Sequence, residues 1–296
     1  TLSSVITNEL LRKKLKFDGL IVTDAMEMGA LNNIKSSEAC VRAVEAGADI
    51  ILLPLDVDST INAIKEAVLS GRILEERINE SVKRIWLAKE DLNLLSDRGI
   101  RDWEESNSII GNPNHKRIAN KIAQLSITVV KDKDDLLSKI SDYKKIAHLA
   151  ITENKNSQKY LLPMKDRLNN YYPDLKEIIV TEKVNDNKIN EITNKLKDVD
   201  LAFISVVVRI RMNKGIATID PSYADLLKKL HERGIPFIVT SFGSPYLPNY
   251  DYIDTYIAAY GYGSVLVEAA ANALLTNIDI TGRLPVDLDK ELIRSS

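Results

Sequence analysis

Residues 19–30 read Gly19-Leu20-Ile21-Val22-Thr23-Asp24-Ala25-Met26-Glu27-Met28-Gly29-Ala30. The run from Gly19 to Thr23 is continuously apolar apart from its ends, the pattern of a strand covered on both faces in a parallel α/β sheet. It ends in a carboxylate, Asp24. In a βα unit the residues just past a strand's carboxyl end face the ligand crevice. A carboxylate there serves as nucleophile, general base or metal ligand, or it only caps the next helix. Position alone leaves these roles open, and Glu27, three residues on, is a spacing common by chance.

Outward from this stretch, strand and helix alternate. Ser4 to Lys14 reads as a helix, and a chain that enters a helix so soon after Thr1, with no Met, is expected to be a piece of a longer one. Ser36 to Ala46 reads as a helix closed by Gly47, and Asp49 to Pro54 as a second buried strand. Asp58 is the expected cap of a helix with Ile61, Ile64 and Val68 on one face, stopped at Gly71. Leu74, Ile78, Val82 and Ile85 then repeat at helical spacing. From Ser96 to Asn114, Gly, Asn, Asp and Pro dominate, which predicts a long irregular linker.

Beyond the linker the alternation resumes. Strands are expected at 127–130, 145–151, 177–181, 201–208, 236–241 and 256–259. Helices are expected at 115–124, 158–170, 189–197, 223–233 and 264–275. This order predicts a mainly parallel sheet with helices on both faces, a doubly wound αβα sandwich.

Composition narrows the function classes. The 296 residues are 45% hydrophobic and 28% charged with a net charge of −2, which suits two ordinary domains and argues against a nucleic-acid footprint. No apolar run is long enough to span a bilayer. The single cysteine, Cys40, excludes an internal disulfide and a cysteine zinc site, but does not fix the compartment. No cluster has metal-ligand spacing, so neither metal nor cofactor is expected.

Several motifs together resemble glycoside hydrolase family 3. Phe17-Asp18-Gly19-Leu20-Ile21-Val22-Thr23-Asp24 resembles its F-x-G-x-x-x-[ST]-D nucleophile pattern. Ala46-Gly47-Ala48-Asp49 resembles its A-G-x-D step into the eighth barrel strand, and Ile78 to Ile85 the helix that closes the barrel. Residues 115–130 resemble the start of its C-terminal domain, Ser241-Phe242-Gly243-Ser244-Pro245-Tyr246 its S-F-G-N-P-Y segment, and Gly282-Arg283-Leu284-Pro285-Val286 its G-[KR]-L-P-V ending. These matches run in order across nearly the whole chain. The resemblance implies the last βα units of a TIM-like barrel over residues 1–95, a linker over 96–114 and an αβα sandwich over 115–296.

Glucosidase members usually carry Trp after the nucleophile. Here Asp24 is followed by Ala25-Met26-Glu27-Met28, which resembles the D-[AD]-[LM]-x-M pattern of the β-N-acetylglucosaminidase branch. The resemblance implies a carbohydrate substrate of the cell-wall amino-sugar type, with Asp24 attacking the anomeric carbon and configuration retained. Met26 and Met28 are expected either to line the subsite below the sugar or to pack under the barrel mouth. The branch takes its acid/base from a His loop upstream of the nucleophile. Neither that loop nor the K-H-F-P-G-H-G sugar-binding motif is in this sequence, so the preceding polypeptide is the expected partner, and an extracytoplasmic location is favoured over a cytoplasmic one. The chain alone is expected to be inactive. A β-glucosidase or β-xylosidase of the same family and a non-catalytic scaffold are the alternatives.

Local substitutes for the acid/base are few. His115, His148 and His231 read as a helix start, a core histidine and a helix C-terminus. Glu153 and Glu182 follow strands and are formal candidates. Arg209-Ile210-Arg211 with Lys214 reads as a solvated basic loop in preference to an anion- or sugar-contacting one. Gly261-Tyr262-Gly263-Ser264 reads as a tight turn with Ser264 as helix cap rather than a phosphate cradle.

Overall fold

The computed structural model describes residues 1–96, 102–181, 183–210, 218–248, 250–276 and 278–288. The chain divides into two compact units, Thr1–Asn107 and Ser108–Ser296.

The first unit opens with a π-type helix, Val5–Lys14; its winding shows in the Leu15 N–H, which donates to the Leu10 carbonyl at 2.8 Å. Strands β1 (Val22–Ala25) and β2 (Ile50–Leu52) pair in parallel, Val22 opposite Ile50 and Ala25 opposite Leu52. Helix α1 (Ser36–Ala46) connects them and ends on Gly47 at φ +114°, as its sequence predicts. Ile21 and Ile51 pack on Ala39, Cys40 and Ala43 of α1.

The other face of the two strands behaves differently from the expectation of burial on both sides. Side chains alternate along a strand, so Thr23 is buried while Val22 and Asp24 are exposed. Val22 is 49% and Leu52 42% exposed. Within the unit, α1 packs on one side of this small sheet, and Ile51 also reaches Ala67 of the helix that follows β2 and Ile73 beyond it.

Helix α2 (Val57–Leu69) is capped by Asp56, whose carboxylate accepts the Ser59 N–H at 2.6 Å. The expected cap, Asp58, instead lies in the first turn, where its charge still suits the helix dipole. Helix α3 (Glu75–Asp91) follows, and Val41, Val44, Ala67 and Ile73 form the remaining core. The stretch expected as an irregular linker contains a helix, α4 (Trp103–Ile109). Asp102 accepts the Glu105 N–H at 2.9 Å and caps it.

The second unit is a six-stranded sheet in the order β3-β8-β7-β6-β4-β5. Its strands are β3 (Thr128–Asp132), β4 (Ile146–Ile151), β5 (Lys176–Val180), β6 (Leu201–Val208), β7 (Phe237–Gly243) and β8 (Thr255–Ala258). Five strands are mutually parallel, and β3 alone pairs antiparallel, with β8. The central strands β4 and β6 are buried along their whole length, which is why they read as unbroken apolar runs.

Helix α6 (Leu162–Tyr171) buries Met164 and Leu168 on one face of the sheet, together with Val267 and Ala271 of α9 (Ser264–Leu275). Helix α5 (Pro113–Ser126) packs on α9. The opposite face takes α7 (Asp186–Lys195) and α8 (Pro221–Glu232) through Ile189, Ile192, Leu226 and Leu230. Gly243 closes β7 at φ +116°, and a Cβ there would collide with the Val208 carbonyl. Only glycine meets both demands.

Candidate active site

Asp24 is the third residue of β1 and stands exposed on the uncovered face. Its Oδ1 accepts the N–H of the next residue, Ala25, at 2.7 Å. The strand tip is tied from the opposite side. Thr23 Oγ1 accepts the Leu52 N–H at 2.9 Å, and the Met26 N–H donates to the Leu52 carbonyl at 2.9 Å. Leu53, just past β2, sits at φ +45°, an unusual region for a branched aliphatic residue. The carboxyl ends of both strands are therefore fixed side by side, with Asp24 presented outward.

The two methionines part company. Met26 is 2% exposed and packs against Ala39, Cys40, Ala43 and Ala48. The chain turns over past the strand tip, with the Met28 N–H donating to the Ala25 carbonyl at 3.3 Å, and this tucks Met26 under α1. Of the two places expected for it, Met26 occupies the packed one. Met28 remains on the surface at 37% exposure, and Glu27 is exposed beside it.

At the other end of the strands lies a network that sequence reasoning missed. Asp49 precedes β2, and its side chain is 0% exposed. Its carboxylate accepts the Ile21 N–H at 3.0 Å and the Ser81 hydroxyl at 2.7 Å. Arg12 approaches at 2.5 Å, Arg84 at 3.0 Å and Arg77 at 3.4 Å. Burial alone would raise this carboxyl, but Ile21, Ser81, Arg84 and Arg12 outweigh it and hold it below the ordinary carboxylate value. Its stabilisation is present above that ordinary range and is lost as pH falls through the depressed value. A single Asp next to Gly47 gave no hint that three arginines, spread over two helices, would converge on it.

All three histidines belong to the second unit. His115 is in the first turn of α5, its N–H accepted by the Asn112 cap at 2.9 Å. His231 Nδ1 lies 3.1 Å from an Asp254 oxygen. His148 is fully buried in β4, with Nε2 3.0 Å from Ser205 Oγ. Its Nδ1 has no hydrogen-bond partner among the described residues and lies 4.0 Å from Glu177, which is paired with Lys165.

Burial first, and Lys165 second, push the His148 imidazole down to about 4. In the unfolded chain it titrates near about 6.5. Below that value the unfolded state takes a proton that the folded state refuses. The stability of the second unit should therefore fall by on the order of 3 kcal/mol as pH drops from about 6.5 to about 4. All eleven tyrosines lie within residues 108–296, so urea unfolding followed by tyrosine circular dichroism reads this unit. A His148→Gln variant should lose most of that slope, and an unchanged slope would rule out His148 as its source.

Glu153 lies past β4 and is half-buried near Arg209. Glu182, Arg211 and Lys214 lie outside the described residues. Arg209 is not a freely solvated loop residue, since its guanidinium carbon sits 5.6 Å from the ring centroids of both Tyr160 and Tyr262. Helix α9 is capped by Gly263 with no side-chain bond, so Ser264 is its first residue and not its cap. Among the described residues no group of His, Cys, Asp and Glu is arranged to hold a metal ion, and no helix is long and apolar enough to cross a membrane.

Residues 1–88 match the model of the glycosyl hydrolase family 3 N-terminal domain. A beta-N-acetylglucosaminidase/beta-glucosidase of Cellulomonas fimi is 31% identical over 133 residues, covering 45% of this chain and 23% of that protein. Beta-hexosaminidase A of Pseudoalteromonas piscicida is 27% identical over 165 residues, covering 52% and 27%. These matches span about a quarter of the length of the curated relatives. Among solved structures, a family 3 beta-N-acetylglucosaminidase from Paenibacillus sp. str. FPU-7 superposes with a TM-score of 0.76 at 24% identity, over 97% of this chain and 54% of that one. A beta-glucoside phosphorylase gives a TM-score of 0.80 at 26% identity, over 97% and 52%. Residues 1–88 thus resemble the N-terminal domain of glycosyl hydrolase family 3, and the chain shares its α/β architecture with these neighbours.

Proposed function

We propose that this protein is the nucleophile-bearing portion of a retaining exo-β-N-acetylglucosaminidase, with Asp24 as the nucleophile. The observation that carries the proposal is the placement of Asp24, exposed on the uncovered face at the carboxyl end of a parallel strand pair. The residues that follow it, Ala25 to Met28, and the names of its relatives support the amino-sugar branch.

In the first step an Asp24 oxygen bonds to the anomeric carbon as the glycosidic C–O bond breaks, and an acid group protonates the leaving oxygen. In the second, water attacks the same carbon, loses its proton to that group and displaces Asp24, so configuration is retained. The acid/base is proposed to come from polypeptide preceding Thr1, which would also supply the remaining barrel strands. Those strands would cover the face that carries Val22, Asp24 and Leu52. Met28, exposed four residues beyond Asp24, is the methionine available to touch the sugar.

A β-glucosidase is the second reading, because one relative carries both names and another is a lysosomal beta glucosidase of Dictyostelium discoideum. The test is an assay of the full natural polypeptide on paired aryl glycosides. An aryl N-acetyl-β-glucosaminide should give a kcat/KM at least about tenfold above the matching β-glucoside, the discrimination expected of a site that engages the acetamido group. A preference for the glucoside would install the second reading instead.

A further inference from the structure

The second unit holds a cavity of about 820 Å³ beside the amino end of β4. It is bounded by the 3₁₀ turn Leu137–Asp142 and the residues leading into β4, by the end of α6, and by the end of α9 with the segment that follows. All of these lie within the one unit. The size falls within the roughly 300–1,000 Å³ of small-molecule sites.

The floor is apolar and held in place. Leu137, Tyr143, Tyr172 and Ile280 line it, and each also packs on the core shared by α6 and α9. The Tyr172 ring stands 6.4 Å from that of buried Phe203, centroid to centroid. A ligand can lay carbon against such a floor without first having to order it.

The polar groups around the floor mostly accept. Helices α6 and α9 both end here, and the carbonyl end of a helix is the negative pole of its dipole. Neither helix has a basic residue in its last turn. Asp135, Asp174 and Asp279 also line the cavity, all exposed and, among the described residues, in no ion pair. They come from three different segments, and among the described residues they form no group able to hold a metal ion. Lys144 is the only lysine or arginine on the wall, and its Nζ donates to the Ser141 carbonyl at 3.4 Å. Asn277, the residue of this stretch outside the described ones, carries no charge.

We propose that this cavity binds an organic amine, its ammonium groups facing the three carboxylates and the two helix ends and its carbon chain lying along the tyrosine floor. An ammonium group only donates, which complements carboxylates and helix carbonyls that only accept. It is also drawn to the negative ends of the helices and to tyrosine faces. A hydrated metal ion would answer the charge but set its water shell against the apolar floor.

The full chain is titrated calorimetrically with spermidine, Mg²⁺ and octanediol, which present charge and carbon together, charge alone and carbon alone. Spermidine should bind saturably and at least about tenfold more tightly than either of the others. Asp174→Asn and Asp279→Asn should each weaken it by about threefold, and Lys144→Gln should tighten it by about twofold. Asp225→Asn removes a carboxylate from α8, on the other face of the sheet, and should change nothing. All four side chains are exposed, so the variants should fold like the parent.

Three results would overturn the site: no saturable spermidine binding at about 10 mM, equal affinity for Mg²⁺ or octanediol, or a loss in Asp225→Asn as large as in Asp174→Asn. The last would mean that spermidine gathers on acidic surface in general. No turnover is measured, so the outcome is independent of the glycosidase reading.

Discussion

Replacing Asp24 with Ala is expected to lower turnover of an aryl N-acetyl-β-glucosaminide by at least about 10³-fold, as loss of a covalent nucleophile does in other enzymes. The carboxylate has two tasks in the proposed reaction. It stabilises the oxocarbenium-like transition state by its charge, and then it forms the bond. Asp24→Asn keeps the shape and removes both, so it should fall nearly as far. Folding should be almost untouched, because Asp24 is exposed and its carboxylate bonds the adjacent Ala25 N–H. Surface changes of this kind usually cost within about 0.5 kcal/mol.

Azide separates the nucleophile from a merely important neighbour. In Asp24→Ala a small anion can enter the vacated space and attack the anomeric carbon from the same face, while the aryloxide leaves from the other. The product from a β-glycoside should then be the α-glycosyl azide. Turnover that survives the Ala substitution in full, or a rescued product of β configuration, would remove Asp24 from the role.

Much of the architecture was legible because its signals are local. The helix Ser36–Ala46 ends on a glycine that needs positive φ, and β6 and α9 are bounded by clear changes of pattern. Where two local signals compete, the sequence misleads. Asp56 and Asp58 are both plausible caps, and the choice is made by geometry, since the Asp56 carboxylate reaches the Ser59 N–H. Strand direction has no local signal at all, so a mainly parallel sheet was legible but not that β3 is the strand that runs against it, beside β8. Helix α4 was hidden by the Asn and Gly residues around it, although Asp102 with Glu104 and Glu105 is a recognisable start.

At the candidate site the split is similar. A carboxylate at the end of an apolar run marks Asp24 as exposed at a strand tip. Which of Met26 and Met28 reaches the surface depends on how the chain turns over beyond the strand, and spacing does not encode that. The pairing of Arg209 with Tyr160 and Tyr262 joins three separate segments, so composition read it as a basic loop. Long-range convergence is the part of a fold that a one-dimensional pattern carries least.

Asp49→Ala is expected to destabilise the first unit by about 3–5 kcal/mol, the cost of breaking a buried charge network by removing one partner. Three guanidiniums would be left facing one another without their shared counter-charge, and the Ile21 N–H and Ser81 hydroxyl would lose an acceptor. The network joins the Val5–Lys14 helix, the approach to β1, the start of β2 and α3, so its loss loosens every element around the strand pair. A more conspicuous cluster makes the contrast. Arg72 bridges Glu38 and Glu45, and Arg72 with Arg42 holds the Glu38 carboxyl at about 2. Yet those side chains are 31–50% exposed, and solvent and salt screen such pairs. Arg72→Ala should therefore move stability far less than Asp49→Ala. Both tryptophans, Trp86 and Trp103, lie within residues 1–107, so urea unfolding followed by tryptophan fluorescence reads this unit. The midpoint should fall by on the order of 2 M for Asp49→Ala, with Asp49→Asn between it and the parent. Equal shifts for Asp49→Ala and Arg72→Ala would mean that burial does not set the worth of these charges. The strand pair that presents Asp24 would then owe its order to the packing of Ile21 and Ile51 on α1 instead.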